Sequence, residues 1–342
     1  MARNARLTRR SSFDESDVHI RPGKGSRPRS KVRPTHADAE YGMVTTKDRG
    51  RWGVVLDDGV TVTAMRAREL GRTPIVVGDR VGVVGDTSGA KDTLARIVKL
   101  TERTSQLRRT ADDTDPYERL VVANADQLLI VSATADPPPR TGFVERALIA
   151  AFAGHLTPII CLTKTDLADG HQFAAEFSDL NVEVVRAGVT DDLAAIRDIV
   201  SGHITCLIGH SGVGKSTLMN RLIPGAQRTT GEVSAVGKGR HTSTQSVALR
   251  LPDATGWLID TPGIRSFGLA HVSADMVVDV FDDLAEAAAD CPRGCTHLGP
   301  PTDPECALDT LTGASARRVQ AVRRLLTALR SNNEWEMPIT DS

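Results

Sequence analysis

The sequence predicts a multidomain α/β protein: a small β-barrel first, a layered α/β domain next, and a helical region last. Three observations lead there. Short β-type runs broken by turn residues occupy 40–100, apolar strand-like runs alternate with helical segments over 118–269, and beyond Ala270 apolar residues recur at helical spacing. The expected boundaries are 1–37 for a basic arm, 38–102 for the barrel, 103–270 for the α/β domain and 271–342 for the helical domain. A chain of 342 residues suits two or three such units, at roughly 100–200 residues per domain.

Composition narrows the function classes. With 42 Lys and Arg against 43 Asp and Glu, the net charge of −1 makes no global demand for a polyanionic partner. The longest apolar stretch, 147–162, is interrupted by Gly154, His155 and Pro158, which excludes a membrane span. Arg3, Arg6, Arg9 and Arg10 have no apolar segment after them, unlike a secretory signal. Five cysteines, an odd number, argue against a disulfide scaffold. A cytoplasmic protein is expected.

The elements follow in chain order. The first stretch, with Arg21, Lys24, Arg27, Arg29, Lys31 and Arg33, has too few large apolar side chains to offset its ordering entropy, and disorder is expected. It reads as an arm touching nucleic acid or as a solubilising tail. In the barrel region, 41–44, 52–56, 60–63, 81–84 and 94–98 read as strands. Asp57-Asp58-Gly59 is a hairpin signal between two of them. Five short strands suit an OB-fold, although any small barrel gives this pattern.

The runs 127–131, 157–162, 182–185 and 204–208 are nearly continuous in apolar residues, as in a parallel sheet covered on both faces. Helices are expected between them, at 143–152 and 193–200. Further on, Val277, Val280, Phe281 and Leu284 form one helical stripe, and Val319, Val322, Leu325, Leu326 and Leu329 another.

The densest chemistry lies at Gly209-His210-Ser211-Gly212-Val213-Gly214-Lys215-Ser216, which satisfies G-x-x-x-x-G-K-[ST] between a strand and a helix. Glycines let backbone N–H groups, through Thr217, converge on phosphate oxygens at a helix N-terminus. Lys215 would bridge the β and γ phosphates and Ser216 would bind Mg²⁺. The bland alternative is a Gly-rich turn with an accidental lysine.

Asp260-Thr261-Pro262-Gly263 ends the apolar strand 257–259. Asp260 could hold magnesium through water, and the Gly263 N–H could sense a γ-phosphate. Between the two motifs, Gly239-Arg240-His241-Thr242-Ser243-Thr244 is placed as a switch loop or is an ordinary surface loop. Thr242 or Thr244 could complete the magnesium shell, and Thr242 is the assignment taken.

Thr163-Lys164-Thr165-Asp166 follows the strand 157–162. Asp166 can accept both N1–H and N2–H₂ of guanine, a donor pair adenine lacks. The Lys164 stem would cover the base. The usual motif is N-K-x-D; Thr163 keeps a hydrogen-bonding group but is not expected to bridge loops as an amide does. This base-reading motif precedes the phosphate loop, the reverse of the usual order, as in a circular permutation. Arg186-Ala187 stands where a Ser-Ala pair ordinarily supports the base.

These permuted motifs, with a barrel before them and a Cys/His cluster after them, closely resemble the ribosome small-subunit-dependent GTPase A family from about Glu40 to Leu329. The resemblance implies an OB-fold, a circularly permuted P-loop GTPase domain and a helical zinc-binding domain. It also implies GTP hydrolysis in late 30S maturation, stimulated by the subunit, with 16S rRNA as a partner; a monomer is expected. Ile264 stands where a Ras-like protein has the Gln that orients water, so intrinsic turnover should be slow. His241 is the candidate substitute, or else a structural or RNA-facing histidine.

Cys291-Pro-Arg-Gly-Cys295-Thr-His297, followed by Cys306, gives C-x₃-C-x-H-x₈-C. Three thiolates and one imidazole form the closed tetrahedral set of a structural zinc site; a disulfide or chance clustering are the alternatives. Cys161 and Cys206 fall in strands and read as inert core thiols. Arg317, Arg318, Arg323 and Arg324 on the last helix face rRNA phosphate or solvent. The rival functions are an ATP-dependent phosphoryl-transfer enzyme, which Asp166 argues against, and a nucleotide-regulated RNA-binding module with little catalysis.

Overall fold

The computed structural model describes residues 35–109, 119–224, 246–252, 255–261 and 268–330. Residues 1–34 of the basic arm, His241, Thr242, Thr244, Gly263 and Ile264 lie outside the described residues. Strands β1 (Glu40–Asp48), β2 (Arg51–Leu56), β3 (Thr61–Arg66), β4 (Arg80–Gly85) and β5 (Ala95–Leu100) close into a barrel in the order β1-β2-β3-β5-β4. Only β3 and β5 pair in parallel. The barrel is OB-like, and β3 shows the alternation of a half-buried strand: Val62 and Ala64 are buried while Thr61, Thr63 and Met65 are exposed. A fully buried Asp79 carboxylate receives Arg103 Nε at 2.7 Å where the chain leaves the barrel.

The hairpin β6 (Gln106–Arg109) and β7 (Arg119–Ala123) comes next and carries no readable strand signal, being short and arginine-rich. The α/β domain then runs β8 (Gln127–Ala133), α1 (Thr141–Ala153), β9 (Thr157–Thr163), α2 (His171–Ala175), β10 (Glu183–Ala187), α3 (Ala194–Val200), β11 (Ile204–Gly209), α4 (Lys215–Leu222), β12 (Val247–Arg250) and β13 (Trp257–Asp260). The sheet order is β10-β9-β8-β11-β13-β12, parallel except for the edge strand β12.

Both faces of this sheet are covered, which explains its continuous apolar runs. Leu128, Ile130, Ile160, Cys206 and Ile208 pack on one side, with α1. Leu129, Val131, Ile159, Cys161 and Leu207 pack on the other, with α3 and α4. Burial pushes the Cys161 thiol up to about 12, in keeping with an inert core thiol.

The C-terminal helices α5 (Ala274–Val278), α6 (Asp282–Ala288) and α7 (Gly313–Arg330) join the core on the α1 side. Helix α1 is therefore buried nearly all round, and even Arg146 is inside, donating to the Ala328 carbonyl at 2.9 Å. Phe152 meets Phe281 edge-on at 5.4 Å.

One expectation needs correction. The stripe through Val277, Val280, Phe281 and Leu284 is not one helix. Phe281 adopts an extended conformation (φ −108°, ψ 107°) ahead of α6, so the chain turns and leaves Val280 40% exposed. Arg317, Arg318, Arg323 and Arg324 of α7 each have a protein acceptor within reach, while Arg317 and Arg324 stay exposed. Arg318 donates to Asp283 at 2.5 Å, Arg323 to Asp309 at 2.7 Å, Arg317 to Asp179 at 3.2 Å, and Arg324 to the Glu176 carbonyl.

The helix break makes a direct prediction for urea unfolding. Leu284→Ala, at a fully buried site, should destabilise by about 2–5 kcal/mol. Val280→Ala should stay within about 0.5 kcal/mol.

Candidate functional site

Strands β8 to β10 progress outward on one side of the sheet and β11 to β13 on the other, so the order reverses between β8 and β11. Ligands of open α/β sheets bind outside the carboxyl ends of the strands at such a point. The phosphate loop follows β11 there. Gly214 precedes α4 with φ 90°, a left-handed conformation that glycine adopts without strain, and turns the chain into the helix. Val213 is buried, whereas Ser211, Gly212, Ser216 and Thr217 are exposed.

The side chain of His210 is occupied elsewhere. Its Nε2 lies 3.1 Å from Arg140 Nη1, and its ring meets Phe143 edge-on at 5.6 Å. Arginine can only donate, so the partner assigns Nε2 as acceptor and the ring proton to Nδ1. The Nε2 of His210 is thus committed to Arg140.

The Thr163–Asp166 segment sits at the end of β9. The Thr163 hydroxyl donates to the Val213 carbonyl at 2.5 Å and lies 3.3 Å from the Ser132 carbonyl. Contrary to the expectation from its side chain, Thr163 does bridge two loops: packed beside Gly214, its hydroxyl reaches the phosphate loop without an amide. Lys164, at φ 55°, bonds the Asp136 carbonyl through Nζ. Asp166 is exposed, and its Oδ1 accepts the Val189 N–H at 3.4 Å. Arg186 turns aside to the Asp169 carbonyl at 2.7 Å.

Across the crevice, β13 delivers Asp260 and Thr261. Lys215 Nζ is ion-paired with Asp260 and donates to the Thr261 carbonyl at 2.7 Å. Thr261 is fully buried, and its hydroxyl pins it to the Leu207 carbonyl of β11 at 2.7 Å. Sequence reasoning passed over Thr261 because its partner belongs to another strand.

The second cluster is in the C-terminal region. One donor atom from each of Cys291, Cys295, His297 and Cys306 lies within 4.8 Å of the others. The ring geometry selects the donor nitrogen: His297 Nδ1 is 3.6 Å from Cys291 Sγ, while Nε2 is 3.0 Å from Asp275 Oδ1. Asp275 thus orients the imidazole from behind, the usual partner of a metal-binding histidine. Backbone N–H groups of Ala307 and His297 reach the Cys291 and Cys295 sulfurs at 3.3 and 3.4 Å. The donor set fits a soft-ligand, four-coordinate metal ion. Asp275 was not legible in the sequence, because an acid on a preceding helix carries no spacing signal.

A phosphate loop, Asp260 and the Thr163–Asp166 segment around one crevice, with the motifs in inverted chain order, define a circularly permuted P-loop fold. The comparisons with known proteins are more particular. The RsgA GTPase family model matches residues 100–270. The small ribosomal subunit biogenesis GTPase RsgA of Gemmatimonas aurantiaca is 37% identical over 279 residues, covering 78% of this chain and 89% of that protein. Its counterpart in Paraburkholderia xenovorans is 34% identical over 319 residues, covering 89% and 96%. Two crystal structures share the fold at 22% identity. YloQ, a circularly permuted GTPase, has a TM-score of 0.60 over 87% of this chain and 98% of its own. YjeQ from Thermotoga maritima has 0.61 over 85% and 98%. The chain belongs to the RsgA GTPase family and is a GTP hydrolase.

The orientation of His297 gives a test by chelator competition. Asp275→Ala should weaken binding of a divalent metal by about 10- to 100-fold, with the four donors intact.

Proposed function

We propose that this GTPase acts in late maturation of the small ribosomal subunit, as a cytoplasmic monomer that binds 16S rRNA and hydrolyses GTP when the 30S subunit stimulates it. The observation that carries the reading is the docking of the Thr163–Asp166 segment on the phosphate loop through Thr163 and Val213. It supports one pocket for base and phosphates although the two motifs come in inverted chain order. The naming of the relatives in Gemmatimonas and Paraburkholderia for small-subunit biogenesis supplies the biological context.

Asp166 accepts N1–H and N2–H₂ of guanine, and Lys164 covers the base. Backbone N–H groups from Gly209 through Thr217 hold the phosphates. When GTP enters, Lys215 exchanges Asp260 and the Thr261 carbonyl for phosphate oxygens, which frees the Asp260 carboxylate. Ser216 and Thr242 would hold Mg²⁺, with Asp260 reaching it through water; the ion supplies charge neutralisation at the β- and γ-phosphates. Gly263 senses the γ-phosphate. His241 orients the attacking water once the subunit orders the switch, because Ile264 cannot.

The Cys291, Cys295, His297 and Cys306 set holds one structural Zn²⁺, leaving no position for substrate. Zinc fixes the loops beside α5 and α6 as a docking surface. Residues 1–37 serve as a basic arm, 38–102 as the docking barrel, 103–270 as the GTPase domain and 271–342 as the zinc-binding domain. Contacts to rRNA run through shape and phosphate rather than stacking, since aromatic residues make up only 4% of the chain.

The test is phosphate release by the purified protein with and without 30S subunits. Stimulation of about 10- to 1,000-fold is expected, below the range of an arginine finger, and it should shrink as salt rises. No stimulation, with GTP persisting on the bound protein, would leave a nucleotide-regulated RNA-binding module. Asp166→Asn should weaken GTP binding by about 2–4 kcal/mol while sparing ATP. Equal affinity of the parent protein for both nucleotides would defeat the guanine assignment.

A further inference from the structure

The two loops on the base side of the crevice are tied to each other and to the phosphate-side helix. Asp191 Oδ2 accepts the Thr165 hydroxyl at 2.6 Å and the Gly188 N–H at 2.8 Å, joining the loop after β9 to the loop after β10. Those bonds hold the Asp191 carboxyl below its usual range, the Thr165 hydroxyl contributing most. A Cβ at position 188 would lie 2.1 Å from Thr165 Oγ1, so the approach is open only to glycine. From the far side, Arg221 on α4 closes a fork: Nη1 donates to the Gly188 carbonyl and Nη2 to the Asp191 carbonyl, each at 2.7 Å. The Arg221 carbonyl in turn accepts Arg197 Nη2 of α3 at 3.3 Å.

Lys215 and Arg221 belong to the same short helix, Lys215–Leu222. Two carbonyls gripped by one planar guanidinium fix a loop in position and rotation, which a lysine on the same helix could not do. The groups are half-buried, so the network adds little net stability. Its effect is geometric: the segment that carries Asp166 cannot shift relative to Lys215 without breaking either the Thr165–Asp191 bond or the fork.

We infer that Arg221 and Asp191 are positioning residues for guanine recognition, bolting the Asp166 side of the pocket onto the helix that starts with the phosphate lysine. Thr165 and Gly188 are the contact points. This rests on the proposed pairing of Asp166 with guanine. Phosphate binding and base reading are then coupled through α4, and loosening the fork costs discrimination between bases rather than turnover.

The experiment measures affinities for GDP and IDP on the full chain by displacement of a fluorescent GDP, with single-turnover kcat alongside. IDP lacks the 2-amino group, so the GDP-over-IDP ratio reports on the second Asp166 hydrogen bond. The parent protein should prefer GDP by about 10- to 100-fold. Arg221→Ala should weaken GDP by about tenfold, compress that preference and leave kcat within about twofold. Arg221→Lys should not restore the ratio. Thr165→Val, nearly isosteric and lacking only the hydroxyl to Asp191, should move the ratio the same way by less. An unchanged ratio in both Arg221→Ala and Thr165→Val would overturn the inference, whatever happens to overall affinity. A ratio near one in the parent protein, unaltered by Asp166→Asn, would overturn the guanine pairing itself and the inference with it.

Discussion

Parallel pairing of β8 with β11 is the interaction on which the whole site depends. The register from Thr205 opposite Gln127 to Gly209 opposite Val131 brings together strands far apart in the chain. Because the sheet order reverses at this seam, the loops after β8, β9, β11 and β13 all open on one crevice. Hydrogen bonds between strands are indifferent to which strand came first in synthesis. A nucleotide site can therefore survive permutation of its motifs, provided the strand neighbours are kept. The Thr163 hydroxyl on the Val213 carbonyl adds a direct tie between the two loop systems that such an arrangement must hold together.

What could be read in advance follows from how local each signal is. The phosphate loop, Asp260 and the Thr163–Asp166 segment each declare themselves within a few residues at the end of an apolar strand, and the structure places them around one crevice. The Cys291, Cys295, His297 and Cys306 spacing is local in the same sense. Side chains that act on a partner distant in sequence left no trace: Asp275 behind His297, Thr261 on Leu207, Arg221 on the carbonyls of Gly188 and Asp191. Thr163 was legible as a residue but not as a bridge, because the closeness of Gly214 is a tertiary fact. The edge strand β12 and the arginine-rich hairpin β6–β7 were too short for their alternation to register. The stripe at Val280 misled because periodicity cannot see a turn placed between two compatible helices.

The C-terminal region is not a module hung on the end of the α/β domain. Helix α1 is apolar on nearly every side because the sheet covers one flank and α5, α6 and α7 the other. Arg146 is the polar exception, and its bond to the Ala328 carbonyl locates the end of α7 against the nucleotide-binding domain. Arg317, Arg318 and Arg324 of α7 strengthen the same attachment by reaching Asp179 and the Asp179 and Glu176 carbonyls. The Cys/His cluster is thus carried on a frame continuous with the sheet.

That continuity bears on the stretch after β13. Thr261 is fully buried and fastened to β11, and Leu269, 1% exposed, is embedded in the core shared with α1 and α7. Thr261 and Leu269 stand only eight positions apart in the sequence, so a short length of chain joins the crevice to the core of the metal-bearing helices. Because both ends of that short connection are seated in packed core, unseating either one would disturb the crevice and the metal-bearing helices together.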